Sequence, residues 1–190
     1  MGYTVPAGIS NRHVHISKED FEALFGEGVE LTNFKDLSQP GQYAANEKVD
    51  VVGPRGTLAG VRILGPFRPE TQVELCETDC FVCGFPVDIR ESGKLDGTPG
   101  CKLVGPKGEI EISQGVMVAL RHVHLSTAQA EEAGVKDGDI VQIQFGGPKA
   151  VTFGNVLIRA GEKHFRDMHL DIDEANAGHI SNGQEGVIVK

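Results

Sequence analysis

Two nearly identical hexapeptides carry four of the seven histidines of this 190-residue chain, at residues 12–17 and 121–126. Both read Arg-His-Val-His followed by an aliphatic residue and Ser. Side chains two residues apart on a β-strand point to the same face, so each pair aims both imidazoles at one point, as metal ligands do. A surface strand that happens to carry two histidines is the alternative, and the duplication weighs against it. The four histidines are His13, His15, His122 and His124.

A third ligand for each pair is predicted further along the chain. His169 lies in the segment 167–173, where neighbouring carboxylates can accept its other ring N–H and fix the tautomer. Counted from the two Gly-Pro pairs, Glu74 falls at about the position that His169 has in the second copy. Two histidines and a third protein ligand leave one zinc position open, which is how catalytic zinc is held. The alternative for Glu74 and His169 is an outer-shell role, and His164 and His179 stay outside the pattern.

The elements that must position these residues are mostly short strands. Glycine is abundant, tryptophan is absent, and short apolar or alternating runs end repeatedly at Gly, Pro or Asp. Two short helices are predicted, from Ser17 to about Phe25 and from Ser126 to about Ala133, each directly after a hexapeptide. A strand, a Gly-Pro turn and another strand follow each helix. We therefore predict a mainly β fold with two similar small β-barrel units, residues 1–95 and 96–190, with an approximate boundary and with exchange of strands allowed.

Charge and composition narrow the class of protein. A net charge of −9 without a run of basic residues disfavours nucleic acid and anionic membranes as partners. The absence of an 18-residue apolar run and of signal-peptide character predicts a cytoplasmic protein. In that reducing compartment Cys76, Cys80, Cys83 and Cys101 are expected to be free thiols or metal ligands.

With these motifs in place, the chain resembles the PduL-type phosphotransacylases, also called phosphate propanoyltransferases, over nearly its whole length. Some members of that family belong to bacterial microcompartments. The matching segments are 12–15, 65–68, 71–74, 78–79, 90–93, 121–124, 168–171 and 173–177.

The resemblance implies a pair of β-barrels with short helices and a dinuclear zinc site. By it, His13, His15 and Glu74 would hold one zinc ion, and His122, His124 and His169 the other. It also implies a homodimer and a reversible reaction between a short-chain acyl-CoA, propanoyl or acetyl, and phosphate.

The residue types suit that reaction. Zinc is a Lewis acid for the developing oxyanion and a good partner for the leaving sulfur. Arg68, which resembles the family's active-site arginine, can clamp phosphate bidentately for direct attack on the thioester. Arg12, Arg90 and Arg121 are further candidates for substrate binding. The alternative is that Arg12 and Arg121 only orient carboxylates and that Arg90 is a turn residue.

Two features depart from the family. Its microcompartment members carry an N-terminal extension ahead of the first barrel, whereas His13 comes early here, which favours an unencapsulated enzyme and acetate rather than propanoate metabolism. The family also does not usually carry cysteines at the positions of Cys76, Cys80 and Cys83. The spacing of these three residues is that of a radical-enzyme iron–sulfur site. The chain lacks the alternating long helices of such enzymes, so incidental thiols near the zinc site are expected instead.

Two alternative functions would also use the predicted zinc ions. A zinc hydrolase would attack a thioester or phosphoester with metal-bound hydroxide and would need no phosphate. A non-catalytic β module would bind zinc without turnover. The sequence does not determine the preferred acyl chain.

Overall fold

The computed structural model describes residues 2–189. The chain is mainly β with four short helices in that range, which confirms the predicted fold class. The elements in chain order are β1 Thr4–Ser10, β2 His13–His15, α1 Lys18–Phe25, β3 Asn33–Asp36, β4 Tyr43–Val52, β5 Thr57–Gly65, β6 Gln72–Leu75, α2 Glu77–Cys83, β7 Ile89–Arg90, β8 Cys101–Val104, β9 Glu109–Ile112, β10 Val116–Ala119, β11 His122–Leu125, α3 Thr127–Ala133, β12 Ile140–Phe145, β13 Val151–Ala160, β14 Asp167–Asp171, α4 Ile172–Gly178 and β15 Glu185–Val189.

Contacts divide the described chain into two compact units. The N-terminal unit comprises residues 12–37 and 41–119, and the C-terminal unit comprises residues 2–11, 38–40 and 120–189. These units differ from the predicted halves 1–95 and 96–190. Strand β1 pairs with β14 and β15. Strand β8 pairs with β4, and strand β10 pairs with β6. Strand pairing between distant segments therefore sets the bounds of the units.

The C-terminal unit is a closed barrel with the strand order β1-β14-β11-β13-β12-β15. Inward and outward residues alternate along β12, where Val141, Ile143 and Phe145 are buried and the residues between them are exposed. This alternation follows the two-residue period of a strand. Strand β11 lies between β13, which is parallel to it, and β14, which is antiparallel.

The N-terminal unit is a sheet that runs β7-β10-β6-β2-β5-β4-β8-β9, with β3 paired to β4. Strand β2 lies between the parallel β5 and the antiparallel β6, the same arrangement that β11 has in the other unit. Phe21, Leu24, Ile63 and Leu103 are fully buried in its core. The predicted pair of similar, barrel-like β units is therefore confirmed.

The predicted helices α1 and α3 begin where serine caps them. Ser17 accepts a hydrogen bond from the backbone N–H of Asp20, and Ser126 accepts one from that of Gln129. The sequence analysis did not identify α2 and α4, which follow the third-ligand strands β6 and β14. Among residues 2–189 no helix combines the length and the apolar character needed to cross a membrane.

Candidate metal centres

Strand register brings each histidine pair together with its predicted third ligand. His13 lies directly opposite Glu74 in the antiparallel pair of β2 and β6. His122 lies directly opposite His169 in the pair of β11 and β14. Directly opposed residues of antiparallel strands hold their side chains close together on one face of the sheet. In each centre the three candidate ligand atoms lie within 4.8 Å of one another.

The N-terminal centre consists of buried His13, His15 and Glu74. The Nε2 atom of His13 lies 3.5 Å from Oε2 of Glu74, and Nε2 of His15 lies 3.8 Å from Oε1. Tetrahedral zinc with bonds of 2.0–2.1 Å would separate two ligand atoms by roughly 3.3 Å. The three side chains therefore fit a zinc ion in composition and spacing.

Two side chains that the sequence analysis missed hold the carboxylate of Glu74. The hydroxyl of Ser92 donates to Oε1 of Glu74 at 2.7 Å, and the amide nitrogen of Gln72 donates to the same oxygen. The amide oxygen of Gln72 accepts from the backbone N–H of Gly93 at 2.9 Å. Gln72 could have been found, because it precedes Glu74 by two residues on the same strand face.

The C-terminal centre consists of His122, His124 and His169. Nδ1 of His122 lies 2.8 Å from the carbonyl oxygen of Leu120. A carbonyl only accepts, so Nδ1 carries the proton and Nε2 presents a lone pair. That Nε2 lies 3.1 Å from Nε2 of His124, a spacing close to that of two zinc ligands. Nε2 of His169 lies 3.3 Å from Oδ2 of Asp167, which is one of the carboxylates predicted as its partner.

Burial keeps a histidine of each pair in the neutral form that binds metal. Burial lowers the pKa of His15 to about 3, and the charges of His13 and Arg68 act in the same direction. Burial also lowers the pKa of His124 to about 2, with further contributions from His122 and His169. Both imidazoles are therefore uncharged at neutral pH, as metal binding requires.

Two cationic or titratable residues beside His124 were not predicted. Nδ1 of His164 lies 2.9 Å from Nδ1 of His124. Arg159 lies opposite His124 in the pair of β11 and β13, and its charge adds to the lowering of the His124 pKa. The sequence carries no periodic signal for His164, since it lies in the loop between β13 and β14.

Arg68 differs from the other arginines named above. Its backbone N–H donates to the carbonyl of Ile16 at 2.9 Å, which places it beside the strand that carries His13 and His15. Among the described residues no carboxylate forms an ion pair with it. The other three lie against carboxylates: Arg12 at 2.8 Å from Asp79, Arg90 at 2.7 Å from Asp88, and Arg121 at 3.3 Å from Glu174.

The cysteines lie in and around the core of the N-terminal unit. Cys76 caps α2, and Cys80 and Cys83 on that helix are buried. Burial raises the pKa of the Cys83 thiol, which disfavours a thiolate ligand. Within residues 2–189 no cluster of three candidate metal ligands includes a cysteine. Cys80 and Cys83 pack within the hydrophobic core of the N-terminal unit.

The fold and the two centres define a class of internally duplicated β proteins in which each copy sets a His-x-His strand beside a third metal-type ligand. The family model for phosphate propanoyltransferase matches residues 6–181. The chain belongs to the phosphate propanoyltransferase family, whose members are acyltransferases.

Curated relatives agree over nearly the full chain. A phosphate propanoyltransferase of Thermotoga maritima is 50% identical over 184 residues, which cover 96% of this chain and 88% of the relative. One of Rhodobacter capsulatus is 48% identical, over 94% of this chain and 83% of the relative. One of Listeria monocytogenes is 44% identical, over 95% of this chain and 85% of the relative.

Proposed function

We propose that this chain converts a short-chain acyl-CoA and phosphate into an acyl phosphate and coenzyme A, reversibly, with two zinc ions per chain. A phosphate oxygen forms a bond to the acyl carbon, and the carbon–sulfur bond breaks with its electron pair on sulfur. The proposed zinc ligands are His13, His15, Glu74, His122, His124 and His169.

The observation that carries the proposal is the register of the two ligand strands in a chain of this family. His13 opposite Glu74 and His122 opposite His169 bring three candidate ligand atoms together in each unit. Three protein ligands would leave one position of a four-coordinate zinc ion open for substrate. Zinc held there would supply Lewis acidity toward the thioester oxygen and a soft partner for the departing sulfur. We propose that both ions serve the same reaction.

The protein groups around the candidate ligands would bind the phosphate and orient the ligand side chains. Arg68 would bind phosphate through two parallel N–H bonds and present one of its oxygens to the acyl carbon. Ser92 and Gln72 fix the carboxylate of Glu74. A direct attack needs no acyl-enzyme, so no nucleophilic side chain is required.

Substrate contacts by Arg12, Arg90 and Arg121 remain predictions. Each of the three already has a carboxylate partner within the protein, which favours the alternative, orienting interpretation for them. Arg68 is therefore the cation that we assign to phosphate.

The preferred acyl group is tested by comparing the turnover of two thioesters. The names of the relatives favour propanoyl-CoA, and acetyl-CoA is the second candidate. Purified zinc-loaded protein is given each thioester with and without phosphate, while thiol release and acyl phosphate are both measured. We expect release that requires phosphate and yields one acyl phosphate per thiol.

Variants make this assay specific for the site. His122→Ala should abolish turnover and Arg68→Ala should lower it by about 100-fold or more. Arg55→Ala, at an exposed arginine that contacts Phe81, should leave turnover unchanged. Release without phosphate would make the protein a zinc hydrolase. Bound zinc without any release would make it a non-catalytic module.

The predicted homodimer is a separate proposal that follows from the family resemblance. Sedimentation equilibrium of the zinc-loaded protein tests it: a mass near twice 20.3 kDa is expected, and a mass near 20.3 kDa contradicts it.

A further inference from the structure

His164 lies in the loop between β13 and β14, against one ligand of the C-terminal centre. The ring centroids of His164 and His124 are 4.6 Å apart, and the two Nδ1 atoms are 2.9 Å apart. The backbone N–H of His164 donates to the carbonyl of Gly161 at 3.1 Å, which closes a turn that holds the ring in place. The half-buried ring is thus positioned by its own backbone as well as by His124.

The hydrogen bond to His164 decides which nitrogen of His124 can bind a metal. Nε2 of His124 points at Nε2 of His122, so Nδ1 is its outer nitrogen. For Nε2 to present a lone pair, the neutral ring must carry its proton on Nδ1. An acceptor 2.9 Å from Nδ1 stabilises that tautomer, and His164 supplies it when its own proton is on Nε2.

The duplicated unit lacks this contact. The corresponding nitrogen, Nδ1 of His15, is buried, and the ring has the backbone of Leu64 on strand β5 as its partner instead of an imidazole. The two centres therefore differ in the outer partner of the second histidine of each pair. Among residues 2–189 no second side chain takes the part of His164 toward His15, where the backbone of Leu64 lies instead.

We propose that His164 is a positioning residue of the C-terminal metal centre, which accepts a hydrogen bond from the Nδ1–H of His124 and so leaves Nε2 of His124 to bind the metal. This inference rests on the proposed zinc site. Loss of an outer-shell hydrogen bond of this kind typically weakens metal binding 10–100-fold. The N-terminal centre should be unaffected.

The experiment compares His164→Phe, which keeps a ring without an acceptor, with His164→Asn, whose amide oxygen takes about the place of Nδ1. His179→Asn is the matched control, because His179 is exposed and lies in a left-handed conformation that asparagine accepts. Zinc stoichiometry and affinity are measured by competition with a chromophoric chelator at one fixed pH. The visible absorption of the cobalt-substituted proteins and the melting temperatures of the metal-free proteins are recorded beside it.

The expected result is that His164→Phe binds one of two zinc equivalents 10–100-fold more weakly and shifts the cobalt spectrum. His164→Asn should recover most of the affinity, and His179→Asn should match the parent protein. If His164→Phe binds two zinc equivalents with unchanged affinity and its cobalt spectrum is unchanged, the inference about His164 is wrong. The proposed metal centres would be unaffected by that result. A parent protein that binds no zinc through His122, His124 and His169 would overturn the proposed function and this inference with it. Equal weakening of both equivalents, or weakening that Asn does not relieve, would assign His164 a general structural role instead.

Discussion

On the proposed function, Arg68 is the residue that would distinguish a phosphate-using enzyme from a metal-binding protein. It lies beside the ligand strand, lowers the pKa of His15, and has no carboxylate partner in the described structure. Arg68→Lys keeps the charge and loses the planar fork, so we expect the KM for phosphate to rise roughly 10-fold. Arg68→Ala loses both, and turnover should fall by about 100-fold or more.

Steady-state kinetics at varied phosphate, with zinc content measured in parallel, check this prediction. Both variants should retain two zinc ions, since Arg68 is not a ligand. A variant with normal phosphate dependence would remove Arg68 from the phosphate site, and one that lost zinc would give it a structural role.

Buried neutral histidines predict how the stability of the metal-free protein depends on pH. His15 and His124 have folded pKa values of about 3 and about 2, below the value near 6.5 of an unfolded chain. The unfolded state therefore takes up protons first as the pH falls. The stability that these residues contribute is complete above about pH 6.5 and decreases below it, by at most about 1.4 kcal/mol per pH unit for each histidine.

Urea unfolding of metal-free protein at pH 7 and pH 5 measures this effect. The free energy of unfolding should be lower at pH 5, and His124→Gln should reduce the difference because it removes one of the two groups. Equal stability at the two pH values in the parent protein would show that these imidazoles are not held neutral.

The sequence predicted which candidate ligands cluster because their positions follow from strand geometry. Residues two apart share a face, and the internal repeat relates Glu74 to His169. Strand geometry and the internal repeat do not predict the contacts of His164 or Ser92. These residues lie in loops, and their contacts with His124 and Glu74 depend on how distant segments fold.

At the scale of elements, an arginine ties each His-x-His strand to the helix after its third ligand. Arg12 pairs with Asp79 of α2 and Arg121 pairs with Glu174 of α4. Each carboxylate lies five residues after the third ligand and at the third position of its helix, where it also accepts from the backbone N–H of the cap. Sequence patterns did not reveal α2 and α4, because Cys76 before α2 is not a typical N-cap residue and α4 ends at His179 where a glycine is typical.

Loss of the Arg12 pair should destabilise the N-terminal unit. Asp79 is buried, with only 3% of its side chain exposed, so Arg12→Ala would leave it without its charged partner. We expect a loss of about 1–3 kcal/mol in the free energy of unfolding. Lys102→Ala, which breaks an exposed pair with Glu109, is the control and should cost less than about 1 kcal/mol.

Chemical denaturation of the two variants decides between the roles considered for Arg12. If Arg12→Ala lost turnover with unchanged stability, the arginine would contact substrate as the sequence analysis predicted. A loss of stability with residual activity in the folded fraction would assign it to the ion pair.

At the scale of the whole molecule, each unit has its own hydrophobic core and its own candidate centre. Each centre joins ligands that are distant in the chain, so zinc bound to the folded state must stabilise it by mass action. At a free zinc concentration 100-fold above the dissociation constant, each site would contribute about 2.7 kcal/mol.

Removal of zinc by a chelator should therefore lower the melting temperature, and restoring zinc should raise it again. His122→Ala removes one site and should leave roughly half of this zinc-dependent stabilisation, together with one zinc ion per chain, because the ligands His13, His15 and Glu74 remain. A melting temperature that ignores both chelator and zinc would contradict the metal centres, and full stabilisation of His122→Ala would show that the C-terminal centre does not bind zinc in the folded protein.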